Sequence, residues 1–279
     1  MINIKGGITM NLAVLTDEIS RDIATASEIL NEKGIKNIDL RSLRTGRIPY
    51  IDTKEEFEIR NYVKKYSFKV NSISPGIGKL SITESDLRKK TIKHLKDSID
   101  FAKRNNIYKI IVFSFKKINK YDLNEKTPEF VYDLLYEMMQ IGEENGVEIL
   151  LENHSSCYIS TIDTIEDLYK DERFKNKLKL NWDPNNSFQV DKKTYKKDQM
   201  KTFIDRVENV HVKDTAFDKK FVRKVLGQGD VGWSTIFNDL VYYKYDKMLT
   251  IETHYEPFVT NTIKDINEIN QYFKYYNFL

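Results

Sequence analysis

One cysteine among 279 residues has no partner for an internal disulfide, so packing and hydrogen bonding must hold this fold, which fits a reducing compartment. Four histidines are too few for a multi-metal cluster built on imidazoles. No apolar run approaches the roughly 20 residues of a membrane span, and residues 1–10 carry no signal-type hydrophobic segment. Neither sign of charge is in excess. The 45 Lys and Arg against 42 Asp and Glu leave +3, spread along the chain, with no field to draw nucleic acid or a membrane. Glycine, proline and serine nowhere concentrate into a linker. These absences leave one cytoplasmic domain spanning residues 1–279, with 40% hydrophobic content for one large core. Its expected partner is a small molecule, with no nucleic acid and no membrane, and a homo-oligomer is compatible with all of this. Residues 1–10 read as an extension ahead of the fold, disordered or upstream of a natural start at Met10, because the apolar pattern begins only at Leu12.

What the chain does contain is a steady alternation of short apolar runs and amphipathic stretches. Strands are expected at Leu12–Leu15, Asn37–Arg41, Lys69–Ser74 and Lys109–Phe113, the last rich in β-branched residues. Helices are expected from Ser20 to about Lys33, over Lys54–Lys65 and Ser85–Asn105, and from Thr127 to Asn145 behind Pro128. Further helices fall near Thr164–Lys170, Lys193–Thr202, Ser234–Tyr243 and Asn261–Phe273. Between these lie four more runs, Glu148–Glu152, Lys179–Asp183, Val207–His211 and Met248–Glu252. Eight βα units in strict alternation predict an α/β fold, a single-domain (β/α)8 TIM barrel.

The last four runs carry the chemistry. Each ends in a residue able to bind a divalent cation: Glu152, Asp183, His211 and Glu252, spaced 31, 28 and 41 positions apart. Each interval accommodates one βα repeat, which needs roughly 30 residues. A barrel brings the C-terminal ends of its strands to one mouth, so three carboxylates and one imidazole converge there. Singly, each is more often a cap or a surface residue. Together, directly behind apolar residues, they read as one metal site. Three oxygens and one nitrogen are a harder set than zinc's thiolate sites. One divalent ion is expected, Mn2+ first, with Mg2+, Co2+ or Zn2+ as alternatives.

These motifs resemble the sugar-phosphate isomerase/epimerase family of xylose-isomerase-like TIM barrels, related to ketose 3-epimerases, over essentially the whole chain. The resemblance runs through Leu15-Thr16-Asp17-Glu18-Ile19-Ser20, Asp39-Leu40-Arg41-Ser42 and Ser74-Pro75-Gly76. Its most specific parts are Leu151-Glu152-Asn153-His154, Trp182-Asp183-Pro184-Asn185-Asn186, Val210-His211-Val212-Lys213-Asp214, Gly227-Gln228-Gly229-Asp230-Val231-Gly232-Trp233 and Ile251-Glu252-Thr253. It implies that Glu152, Asp183, His211 and Glu252 hold one metal, and that Glu152 and Glu252 exchange protons with substrate from opposite faces. The implied activity is that of a metal-dependent isomerase or epimerase of a sugar, sugar phosphate or related hydroxyketone, working through an enediolate. Two departures leave the substrate open. Asn186 stands where the epimerases carry a histidine, and Lys213-Asp214-Thr215-Ala216 runs where they have an arginine.

Arg41, His154, Asn186 and Lys213 are the candidate substrate-binding residues. His154 lies two residues past Glu152 and serves equally well as a hydrogen bonder to its neighbours. Lys213 follows His211 by two, on the same side of the strand, with an ion pair to a nearby acid as the plain alternative. Arg41 and Lys79 are placed to hold a phosphate or carboxylate, although Lys79 reads first as a surface residue. The stretch Asp214–Asp230 is the longest connection without periodicity, a candidate lid, and Gly227 and Gly229 read as a tight turn. Trp233 is expected to pack at a helix start and Cys157 to be a plain free thiol. Three rival functions remain. A metal-dependent dehydratase of a hydroxy-ketoacid shares the metal and the proton abstraction, and in such relatives a histidine spaced like His154 is an acid/base. An endonuclease IV-like DNA-repair enzyme would need more histidines than this chain has. A non-catalytic metabolite-binding protein would not need both glutamates.

Overall fold

A computed structural model describes residues 2–4, 8–119, 125–175 and 177–276. The first strand, β1 (Ile2–Ile4), pairs antiparallel with β2 (Ile8–Leu15). There follow α1 (Ile23–Glu32), β3 (Asn37–Leu40), α2 (Thr53–Tyr66), β4 (Lys69–Ile77), α3 (Leu87–Arg104), β5 (Lys109–Val112) and α4 (Glu129–Glu144). Next come β6 (Glu148–Glu152), α5 (Ile162–Leu168), β7 (Lys179–Trp182), α6 (Pro184–Asp191) and β8 (Val207–Val212). The chain ends with the hairpin β9 (Asp214–Asp218) and β10 (Lys220–Lys224), then α7 (Trp233–Tyr242), β11 (Met248–Ile251) and α8 (Phe258–Tyr276). Strands β2, β11, β8, β7, β6, β5, β4 and β3 pair in that order, all parallel, and β3 returns to β2. The sheet is therefore closed, an eight-stranded barrel ringed by eight helices.

The main core lies between barrel and helices, where apolar faces at helical spacing, such as Leu95, Ile99 and Ala102 of α3, are buried. The barrel interior is partly polar instead. Asp39 of β3, fully buried, accepts from the Ser72 amide (2.7 Å) and hydroxyl (2.9 Å) and from Asn71 Nδ2 (3.0 Å), all on β4. Its other oxygen accepts from Thr250 Oγ1 of β11 at 2.7 Å. One carboxylate thus ties three strands together inside the barrel. Asp39→Ala is expected to lower stability by about 3 kcal/mol or more, because several buried donors lose their acceptor together. Urea unfolding checks this, and a loss below about 1 kcal/mol would show that water replaces the carboxylate without cost.

Three local expectations change. Residues 2–4 and 8–10 form a strand pair with Met10 fully buried, so the described part of the N-terminal segment is not the disordered extension expected. The helix expected at Lys193–Thr202 lies earlier, at Pro184–Asp191. Asp183 caps it by accepting from the Asn186 amide, Pro184 starts it, and Lys192 ends it in the left-handed conformation (φ 58°). Residues 193–196 are irregular and residues 197–203 form turns, pinned by the Tyr195 hydroxyl, which accepts from the Met200 amide and donates to Asp239. The long connection after β8, read as without periodicity, begins with the β9–β10 hairpin, and Asp214 organises the turn beyond that hairpin. The Asp214 carboxylate accepts from the amides of Gly227 and Gly229, both at 2.9 Å, and a Cβ on Gly229 would stand 2.2 Å from its oxygen. The two glycines wrap an aspartate.

Candidate metal centre

The barrel explains why four separated residues meet. Glu152 is the last residue of β6, Asp183 follows β7, His211 is in β8 and Glu252 follows β11. All sit at the C-terminal ends of adjacent parallel strands. Ligand-type atoms of these four buried residues lie within 4.8 Å of one another. His211 Nδ1 is 3.1 Å from Glu252 Oε2 and 3.5 Å from Glu152 Oε2, yet neither ring nitrogen has an aligned hydrogen bond. The neighbouring side chains fix the geometry. Asn153 Nδ2 donates to the Asp183 carbonyl and Asn153 Oδ1 accepts from the Asp183 amide, both at 2.8 Å, locking β6 to β7. Asn186 Nδ2 reaches Asp183 Oδ2 at 2.8 Å and Glu152 Oε1 at 3.3 Å, while Asn181 Nδ2 reaches Glu152 Oε2 at 3.2 Å.

The electrostatics are extreme for a buried site. Burial opposes a charge on His211, but Glu152 and Glu252 outweigh it and raise the imidazole to about 9. Burial likewise pushes Glu252 up, yet Lys213, His254 and His211 overcome it and hold the carboxyl well below the usual range. Glu152, with burial dominant and less help from cations, goes up. Lys213 Nζ lies 2.6 Å from Asp183 Oδ2 and 2.8 Å from Glu252 Oε2, so the plain alternative of an ion pair is realised. Above it, Arg41 holds Asp17 (2.8 Å), Glu18 (2.8 Å) and Glu252 (2.5 Å), and His254 bridges Glu18 (2.7 Å) and Glu252 (3.0 Å).

The donor set fits a divalent cation on two counts. The buried His211 ring lacks a proper hydrogen-bond partner among carboxylates, which a metal ligand would lack too. Five carboxylates (Asp17, Glu18, Glu152, Asp183, Glu252) face three paired cations, Arg41, Lys213 and His254, whose two ring nitrogens both face carboxylates, and an ion of charge +2 held by a neutral His211 brings that set to balance.

A cavity of about 590 Å3 opens above these groups. The structure brings His154, Asn186 and Lys213 to it as expected, with Glu152 and Glu252 at its wall. Arg41 also lines it but differs from expectation. All three of its guanidinium nitrogens are spent on carboxylates, so it holds Glu252 in place and has no free fork for a substrate anion. Lys79 is no surface residue. Its ammonium sits 4.0 Å from the centre of the Phe113 ring inside the cavity. His154 is held as a neutral imidazole, lowered to about 3 by burial and by Lys79 and Lys213. Its Nδ1 accepts from the Ser156 amide at 3.3 Å, which assigns the ring proton to Nε2. Trp233 packs at the start of α7, donating to the Lys213 carbonyl, and Cys157 is buried with its thiol pushed up to about 12.

Sequence reasoning missed Glu18, Arg47, Phe113, Arg223 and His254 as residues of this cavity. His254 follows Glu252 by two, as Lys213 follows His211, so the spacing that marked one could have marked the other.

Comparisons with known proteins agree with this architecture. Residues 28–275 match the family model for xylose isomerase-like TIM barrels. An inosose dehydratase of Clostridium perfringens is 24% identical over 171 residues, 56% of this chain and 57% of that protein, so the match spans little more than half of the relative's length. A crystal structure of the IOLI protein with a bound zinc atom superposes with a TM-score of 0.79 at 15% identity, covering 96% of this chain and 99% of that one. A D-psicose 3-epimerase from Clostridium cellulolyticum H10, solved with D-tagatose, gives a TM-score of 0.71 at 15% identity over 94% and 99%. These likenesses establish the fold, and the span of the family match makes the chain a member of the xylose isomerase-like TIM barrels.

Proposed function

We propose that this protein is a divalent-metal-dependent isomerase or epimerase of a sugar, sugar phosphate or related hydroxyketone. The observation that carries the reading is the pair Glu152 and Glu252, held with Asp183 and His211 in one buried group at the cavity wall. Glu152, Asp183, His211 and Glu252 would hold the ion, Mn2+ by preference, and the ion would stabilise negative charge developing on a substrate oxygen. Glu252, kept ionised by its cationic neighbours, removes the proton next to the carbonyl. Glu152, raised by burial, gives up a proton of its own in return, and the two glutamates then exchange protons with solvent to regain their starting states. Lys213 and Asn186 hold the carboxylates in register, and His154 offers its Nε2 proton as a hydrogen-bond donor within the cavity. The buried, unpaired Cys157 suits the reducing cytoplasm.

A dehydratase of a hydroxy-ketoacid is the second reading, and His154 is the observation that favours it. A neutral imidazole with its proton at Nε2 is poised to hydrogen-bond a departing hydroxyl, after the same removal of an α-proton. One experiment separates the two. Metal-loaded protein is incubated in D2O with a panel of ketoses and cyclic hydroxyketones and followed by proton NMR. Deuterium entering the position next to the carbonyl, with a new stereoisomer, is expected for an isomerase or epimerase. Loss of water with a new vinylic signal would install the dehydratase instead, and no exchange with any of the panel would reject both.

A further inference from the structure

Among the described residues, four cations that line the cavity have no acidic partner, unlike Arg41 and Lys213; Arg21 is exposed to solvent, and the other three are half-buried. Arg47, on the connection after β3, spends Nε (3.1 Å) and Nη2 (2.7 Å) on the Ser74 carbonyl, with Ser74 Oγ 3.5 Å from Nη2. Its Nη1 is left without an acceptor. The guanidinium lies over Gly76 (φ +92°), where a Cβ would stand 3.2 Å from Cζ, so a glycine makes room for it. Lys79 has only the Phe113 ring face as a partner, and burial pushes its ammonium down. Arg223, carried in by β10, has neutral partners, Thr215 Oγ1 at 2.9 Å and the Gln189 carbonyl once that amide is turned.

Half-buried cations without counter-charges, gathered in one cavity, repel one another and lose hydration, a cost recovered when an anion arrives. The count of charges points the same way. With Arg41, Lys213 and His254 these three make six cations against the five carboxylates named above, so a divalent ion would leave the group three positive.

We propose that the substrate is an anionic hydroxyketone, bearing a phosphate or carboxylate that Arg47 and Lys79 hold, with Arg223 of the hairpin lining the same cavity. This rests on the hydroxyketone reading above and names its substrate class. The anion end and the reacting end would thereby be fixed separately, the first by the arginine and lysine, the second beside Glu152 and Glu252.

The test is calorimetric binding to the Mn2+-loaded protein of three matched probes: dihydroxyacetone, dihydroxyacetone phosphate and hydroxypyruvate. At least one charged probe should bind roughly 10- to 100-fold more tightly than the neutral one, the scale of one or two charge-assisted hydrogen bonds. Most of that advantage should disappear in Arg47→Gln and in Lys79→Gln, two variants at separate positions so that a folding failure in one leaves the other to decide. The stronger of the phosphate and the carboxylate identifies the group. Equal affinity for all three probes, or an advantage untouched by either variant, would overturn the proposal. Because no turnover is read, the result is independent of the isomerase reading. Anion preference without metal-dependent binding of dihydroxyacetone would count against the hydroxyketone and leave the anion site standing.

Discussion

Glu252→Gln and Glu152→Gln are each expected to lower turnover of the metal-loaded protein by roughly 10²–10⁴-fold, the usual contribution of a positioned proton-transfer group. The two losses have different origins. Both Glu252 oxygens face nitrogens alone: Arg41 and His254 on Oε1, Lys213 and, without an aligned hydrogen bond, His211 on Oε2. A glutamine there turns an amide N–H toward one of those nitrogen pairs, so the side chain must swing away and the ionic cluster around Arg41 loosens with it. Glu152 meets only the Asn181 and Asn186 amides and the His211 ring, and a glutamine can rotate to satisfy one of the two asparagines. Glu152→Gln should therefore keep near-normal stability while Glu252→Gln melts earlier. Deuterium exchange divides the roles further. If Glu252 removes the proton and Glu152 supplies its replacement, Glu152→Gln retains some exchange at the α-carbon with little product, and Glu252→Gln retains neither. Full turnover in either variant, with metal content verified, would strike that residue from the proton-transfer step.

The candidate metal centre was legible because each of its members closes an apolar run, and a barrel converts strand ends into neighbours whatever lies between them. Periodicity has no such purchase on Arg47 or Arg223. Arg47 sits in an irregular connection, and its place in the cavity is set by the Ser74 carbonyl and the absent side chain of Gly76, partners almost thirty residues away. Arg223 arrives on a hairpin whose turn is Asp218-Lys219, with Lys219 at φ 58°, a conformation that asparagine or glycine would have announced and lysine does not. The misplaced helix has a comparable cause. Asp183 serves as helix cap and candidate ligand at once, and reading it as the second hides the start signal that Asp183-Pro184 supplies. Arg41 shows the reverse failure, a correct position with a wrong partner, since sequence spacing cannot reveal that Asp17, Glu18 and Glu252 converge on one guanidinium.

Lys213→Met should produce the largest change in stability, and one that depends on metal. The ammonium is buried between Asp183 and Glu252, whose carboxylates raise its proton affinity far above that of a free lysine. Methionine fills similar volume and removes the charge, leaving two buried carboxylates short of a counter-ion, with Glu152 close by. Breaking a buried pair in this way typically costs about 3–5 kcal/mol. A divalent cation bound at the same oxygens offsets that cost, and free ion at 100 times its Kd contributes about 2.7 kcal/mol. The variant should accordingly lose most stability in EDTA and regain a large part in Mn2+, with a wider gap between the two conditions than the parent shows. Urea unfolding of both proteins in each condition measures it. Equal losses in EDTA and Mn2+ would mean that Lys213 contributes packing alone. An unfolding midpoint indifferent to Mn2+ in both proteins would remove the divalent ion from the site altogether, and the proton-transfer chemistry with it.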